Sequence, residues 1–128
     1  MSEKVRGVIT WLYYRDLPRA QKFYEDIMGL KMEVDQGWSV IYKIVDGAYV
    51  GLVDGAHGYH KANNIKPVIL CLNVEDADAW HKKLIDNGLE IENLPKESER
   101  LKVKVFMFKD IEGYTIEIQE TMPNGLSI

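Results

Sequence analysis

Glu117 is the side chain in this sequence with the clearest setting for chemistry. It lies in 108-FKDIEGYTIEIQE-120, a turn that feeds a strand, with an isoleucine on either side of it. A carboxylate set among apolar residues on a rigid strand can act in two ways. It can be an oxygen ligand for a divalent metal, or, with its pKa raised by burial, a general base. The histidines and the single cysteine offer less. His57 and His60 stand three apart in HGYH, a spacing that permits chelation, but the segment is polar and glycine-containing and reads as a solvated loop carrying two surface histidines. His81 follows Trp80 on a helix and falls at an exposed or boundary position. Cys71 alternates with Ile69 and Asn73 along a strand and reads as a buried, inert thiol, since no histidine is arranged to activate it.

The elements that must position these groups are legible from turn residues and periodicity. Residues 7–14 (GVITWLYY) predict a strand of β-branched and aromatic residues. Asp16 stands where a helix N-cap belongs, Pro18 falls in the first turn, and Leu17, Ala20, Phe23, Tyr24, Ile27 and Met28 recur at helical spacing before Gly29. Strands follow at about 30–35, 38–45 and 48–54, with Asp46-Gly47 as a tight-hairpin signal. The second half repeats the order. Residues 67–74 (PVILCLNV) predict a strand, Asp76 a second N-cap, and Ala77, Trp80, Leu84 and Ile85 one helical face ending at Gly88. Short strands are expected near 89–93, 102–108 and 114–119, with a turn at Glu112-Gly113.

The two caps lie 60 residues apart (16 to 76) and the two stop glycines 59 apart (29 to 88). Matching caps, stops and faces at one offset imply a βαβββ unit written twice in a single domain over 1–128. The first module spans about 6–54, the second 67–120, and the polar segment 55–66 links them.

Composition narrows the function classes. At 128 residues and 46% apolar content, the chain is long enough to bury a core without disulfides or a structural metal. One cysteine permits no intrachain bridge, which suits a reducing compartment, and no leader-like or membrane-spanning apolar run is evident. A cytoplasmic protein is expected. The net charge of −4 comes from 16 basic and 20 acidic residues mixed along the chain. No basic patch forms, so neither nucleic acid nor a membrane is an expected partner, and neutral or cationic ligands are mildly favoured.

The words inside the repeat resemble a known family. YRDLPRAQKFYEDIMGLK at 14–31 is similar to the strand-to-helix signature of the glyoxalase/bleomycin resistance protein/extradiol dioxygenase group, the vicinal oxygen chelate superfamily. FKDIEGYTIEI at 108–118 is similar to its C-terminal signature, with Ile111 where proline is usual. The resemblance runs from about Gly7 to Glu120 and implies an α+β fold. Its two tandem βαβββ modules form a curved half-barrel sheet, with helices on the outer face and a cup within. In the family's enzymes a divalent metal sits in the cup as a Lewis acid, held by His or Glu from the first and fourth strand of each module. Function is poorly specified by the fold, since isomerases, dioxygenases, thiol transferases and drug binders share it.

Carried over residue by residue, the four ligand positions fall on Ile9, Gly51, Ile69 and Glu117. One carboxylate cannot supply the three or four donors a tight transition-metal site uses, so no metal or other cofactor is expected. The same register turns Ile9, Trp11 and Tyr13 to the cup, with Tyr49, Gly51, Val53, Ile69, Cys71, Asn73, Thr115, Glu117 and Gln119. Tyr114, Ile116 and Ile118 lie under the helix, and Trp38 and Tyr42, on the third strand, could line the wall on either side. An aromatic cup with a few polar groups suits a small organic molecule, hydrophobic or cationic. The same rings would also suit a homodimer interface. Three readings follow: a metal-free small-molecule binder; a lyase or isomerase using Glu117 as base or as one ligand of an atypical metal site; and a regulatory or structural homodimer.

Overall fold

The structure, a computed structural model, describes residues 2–125. The chain falls into two compact units, one reaching Asn64 and the other beginning at Ile65.

In the first unit, strand β1 (Val8–Tyr14) leads into helix α1 (Leu17–Lys22), which continues as a π-helical turn over Phe23–Ile27. Strands β2 (Lys31–Asp35), β3 (Ser39–Val45) and β4 (Ala48–Asp54) follow. The sheet order is β1-β4-β3-β2, with β1 parallel to β4 and the other pairs antiparallel. The Asp16 carboxylate caps α1 by accepting the Arg19 N–H at 3.1 Å. Gly29, at φ 72°, ends the helical run as its sequence position implies. The Met28 N–H reaches back five residues to the Phe23 carbonyl at 3.1 Å, the bond that defines the π turn.

Leu17, Ala20, Phe23, Tyr24 and Met28 are buried on the helix side, together with Leu12, Tyr14, Val40, Tyr42, Val50 and Leu52 from the sheet. Three tyrosines within this core place their hydroxyls in hydrogen bonds, which buried phenols require. Tyr14 donates to Tyr24 at 2.9 Å, and Tyr42 donates to Glu25 Oε2 at 2.6 Å. The expectation that Tyr42 lines a ligand pocket therefore does not hold. It faces α1, stacks on Tyr24 with centroids 6.4 Å apart, and is fully buried. Burial, and then the hydrogen bond and charge of Glu25, hold its phenol far above the usual tyrosine range.

The second unit repeats the order: β5 (Ile69–Asn73), α2 (Ala77–Asp86), β6 (Lys96–Ser98), β7 (Val103–Lys109) and β8 (Thr115–Thr121). Its sheet, β5-β8-β7-β6, has the same arrangement, with β5 parallel to β8. Asp76 caps α2 through the Ala79 N–H at 3.0 Å, and Gly88 at φ 105° ends it. Asp110 accepts the N–H groups of Glu112 and Tyr114, each at 3.0 Å, so its side chain closes the turn that Ile111 occupies in place of proline. Tyr114, Ile116 and Ile118 are buried, as their alternation requires.

Two expectations fail here for one reason. His81 is buried, and α2 turns Ala77, His81 and Leu84 inward, while Trp80 is half-covered and Ile85 exposed. His81 Nε2 lies 2.9 Å from the Asn93 carbonyl, which can only accept, so Nε2 carries the proton. The segment 89–93, expected as a strand, is instead held to α2 by that bond, and the edge strand forms later, at Lys96–Ser98. The His81 ring also meets Phe106 edge-on at 5.1 Å.

Candidate functional site

Each sheet buries one face under its helix, so the groups available for chemistry lie on the helix-free face. On β1 alternation sends Leu12 and Tyr14 inward and leaves Ile9, Trp11 and Tyr13 on the other side. Ile9 and Trp11 are 42% and 37% exposed. Their partners in register on β4 are Tyr49, Gly51 and Val53, followed on β3 by Lys43, Ile41 and Ser39. Trp38 stands just outside β3. Its carbonyl accepts the Asp54 N–H at 2.8 Å, and in register it is in phase with Val40 and Tyr42.

The geometry at Gly51 explains the glycine. A β-carbon at this position would stand 2.2 Å from Trp11 Cε3 and 2.4 Å from Cζ3. The six-membered ring of the indole fills the space that a side chain at 51 would need. A histidine or glutamate there is excluded unless Trp11 moves.

The far end of this face is covered by the segment that the sequence presents as a linker. Val53 is buried although it is on the helix-free side. Gly58 lies against it, since a β-carbon at 58 would stand 2.5 Å from Val53 Cγ1 and 3.0 Å from Tyr13 Cε1. His60 meets Tyr13 edge-on at 5.4 Å and Tyr59 at 4.9 Å. Asp54 anchors the turn. It accepts the Ala56 N–H at 2.9 Å and lies 3.1 Å from His57 Nδ1, and these two contacts hold its carboxyl below the usual carboxylate range. Both histidines are exposed, but the loop that carries them is folded onto the sheet.

On the second sheet the helix-free face is laid out in rows: Ile69, Thr115, Lys109; then Cys71, Glu117, Met107; then Asn73, Gln119, Val105. Ile69 is 50% exposed, while Thr115, Glu117 and Gln119 are half-buried. The Asn73 amide donates to Gln119 Oε1 at 3.1 Å and to Thr121 Oγ1 at 2.9 Å. Cys71 is exposed, contrary to the expectation of a buried thiol, because β5 lies at the sheet margin with its odd residues turned from α2. Its thiol is nonetheless pushed up to about 11, by partial desolvation first and then by the charge and hydrogen bond of Glu117. Cys71 stays protonated at neutral pH and is a poor nucleophile.

The metal that the family's enzymes use can be tested against this donor set. Positions 9 and 51 on the first sheet offer isoleucine and glycine, and positions 69 and 117 on the second offer isoleucine and glutamate. Among the described residues no group of three or more His, Cys, Asp or Glu side chains gathers to hold a metal. Cys71, beside Glu117, would have to lose a proton that its surroundings retain. These residues do not fit the usual metal.

With the faces assigned, comparison with known proteins settles the family. The model of the Glyoxalase/Bleomycin resistance protein/Dioxygenase superfamily matches residues 7–118. The chain belongs to this superfamily. Solved structures agree on its glyoxalase-like fold. A glyoxalase/bleomycin resistance protein/dioxygenase from Nocardioides aligns at TM-score 0.77 and 16% identity, covering 98% of this chain and 88% of that one. TioX from Micromonospora sp. ML1 aligns at 0.75 and 15%, covering 91% and 98%. Lactoylglutathione lyase from Agrobacterium tumefaciens aligns at 0.72 and 20%, covering 93% and 96%. No curated protein matches the chain at a significant level. Identities this low establish the fold and leave the activity to the residues of this superfamily member itself.

Proposed function

We propose that this superfamily member is a small-molecule-binding protein that works without the usual metal and takes a hydrophobic or cationic organic ligand. The observation that carries the reading is Trp11 lying across Gly51. One of the four ligand positions is filled by an aromatic ring, and that ring keeps more than a third of its surface open. An indole in this setting is a stacking surface for a flat or cationic molecule, worth about 0.5–2 kcal/mol per cation–π contact. Tyr13 and Tyr49 extend this apolar face, while the helix-free face of the second sheet, taken by itself, carries Glu117 among Asn73, Thr115 and Gln119. We place the protein in the cytoplasm as a homodimer, a setting that suits its one free thiol.

Elemental analysis of protein purified without chelator tests the metal-free part of this reading. Sub-stoichiometric Ni, Zn, Mn and Fe are expected. A stoichiometric metal that disappears in Glu117→Ala would overturn the proposal in favour of a lyase or isomerase. A thermal-shift screen of aromatic cations and planar antibiotics tests the ligand class, with stabilisation lost in Trp11→Ala as the expected result.

A further inference from the structure

The geometry points to the segment Asp54–His60 as a built rim of the ligand face on the first sheet, with His60 as a residue that determines specificity there. This inference rests on the small-molecule reading above. Four observations support it, none of which involves a metal position. Gly58 approaches Val53 and Tyr13 so closely that no side chain fits between them. Gly55 is packed in the same way, since a β-carbon there would stand 2.6 Å from the Ala62 nitrogen. The Asp54 carboxylate ties the turn through Ala56 and His57, and the Asp54 carbonyl accepts the His57 and Gly58 N–H groups at 2.9 and 3.0 Å. A loop with this many internal ties holds its side chains in place.

What the loop holds in place is a row of rings. Tyr59 packs on His60, and His60 packs on Tyr13. Tyr13 and Trp11 are two residues apart on one strand face, about 7 Å along the strand. Tyr59 is 94% exposed, an unusual cost for an aromatic ring fixed against a neighbour. The row starts at an apolar platform at Trp11 and passes through the imidazole of His60, the one ring in it whose own ring nitrogens can both donate and accept hydrogen bonds. The matching ligand is a planar aromatic molecule with an apolar body and a hydrogen-bonding group on its edge.

Titration with 9-aminoacridine, a planar ring system with one exocyclic amine, tests the inference. Binding is followed by tryptophan fluorescence and by the imidazole proton signals of the histidines. In wild-type protein the probe is expected to shift the His60 signals and leave those of His81 unmoved. His60→Ala and Tyr59→Ala should each weaken binding about fivefold, the scale of one hydrogen bond or ring contact. Gly58→Val lifts the rim while keeping its aromatic side chains and should weaken binding as much. If Trp11→Ala abolishes binding while the rim variants bind like wild type, the rim is not part of the site and the broader reading survives. If wild-type protein does not bind the probe at all, the inference fails, while the broader reading falls only if the thermal-shift screen is empty as well.

Discussion

At the residue scale, the Trp11–Gly51 pair carries the most information. A methyl group at 51 meets the indole, so Gly51→Ala should destabilise the protein by about 1–3 kcal/mol, the usual cost of overpacking. Trp11→Ala made alongside it should recover part of that loss, and a double-mutant cycle on urea midpoints measures the coupling. Simple additivity would show that the ring does not occupy the space above Gly51. Cys71 gives a pH test. Its folded pKa is raised, so the thiolate is scarce until pH approaches about 11. Alkylation by iodoacetamide should therefore rise with pH through that range rather than near the ordinary cysteine value. Because Glu117 contributes to the shift, Glu117→Gln should move the profile to lower pH. Strict alternation assigns Trp11, Tyr13 and Glu117 to a sheet face from the sequence alone and assigns them no role there. Alternation does not decide the side of Tyr42, which the hydrogen bond to Glu25, 17 residues away, fixes.

At the element scale, the caps and stops hold because they are local. Asp16 and Asp76 each satisfy an N–H three residues on, and Gly29 and Gly88 adopt the positive φ that ends a helix. Asp76→Ala should cost about 1 kcal/mol, seen as a lower urea midpoint at unchanged slope. What could not be read locally is the run from Leu89 to Pro95. Its fate is set by the His81 bond to the Asn93 carbonyl across 12 residues, and nothing in NLPKE signals that. His81→Ala leaves that carbonyl without its partner and removes the ring from Phe106, so about 1–3 kcal/mol should be lost. The linker at 55–66 carries its two histidines exposed, as the sequence leads one to expect, and only its packing onto the sheet is invisible there. Polar composition predicts solvation, while Gly58, packed on Val53 and Tyr13, and Gly55, packed on Ala62, look like ordinary linker residues until their neighbours are known.

At the scale of the whole molecule, the duplicated βαβββ unit was visible as a spacing, and its consequence is thermodynamic. A module of roughly 60 residues buries too little surface to be more than marginally stable alone. Each module here also keeps large apolar side chains in water, Ile9 and Trp11 on the first and Ile69 and Met107 on the second. We propose that the chain unfolds as one cooperative domain, as chains under about 150 residues usually do. The three tryptophans divide conveniently, with Trp11 and Trp38 in the first module and Trp80 in the second. In urea, a Trp80→Phe variant reports the first module and a Trp11→Phe/Trp38→Phe variant the second. Once each variant is corrected for its own stability by far-UV circular dichroism, the two fluorescence midpoints should coincide with the loss of secondary structure. Two separated transitions would mean that the chain is two independent domains. The same curves test the homodimer, because a dimer that unfolds to monomers has a midpoint that rises with protein concentration, whereas a monomer's does not move.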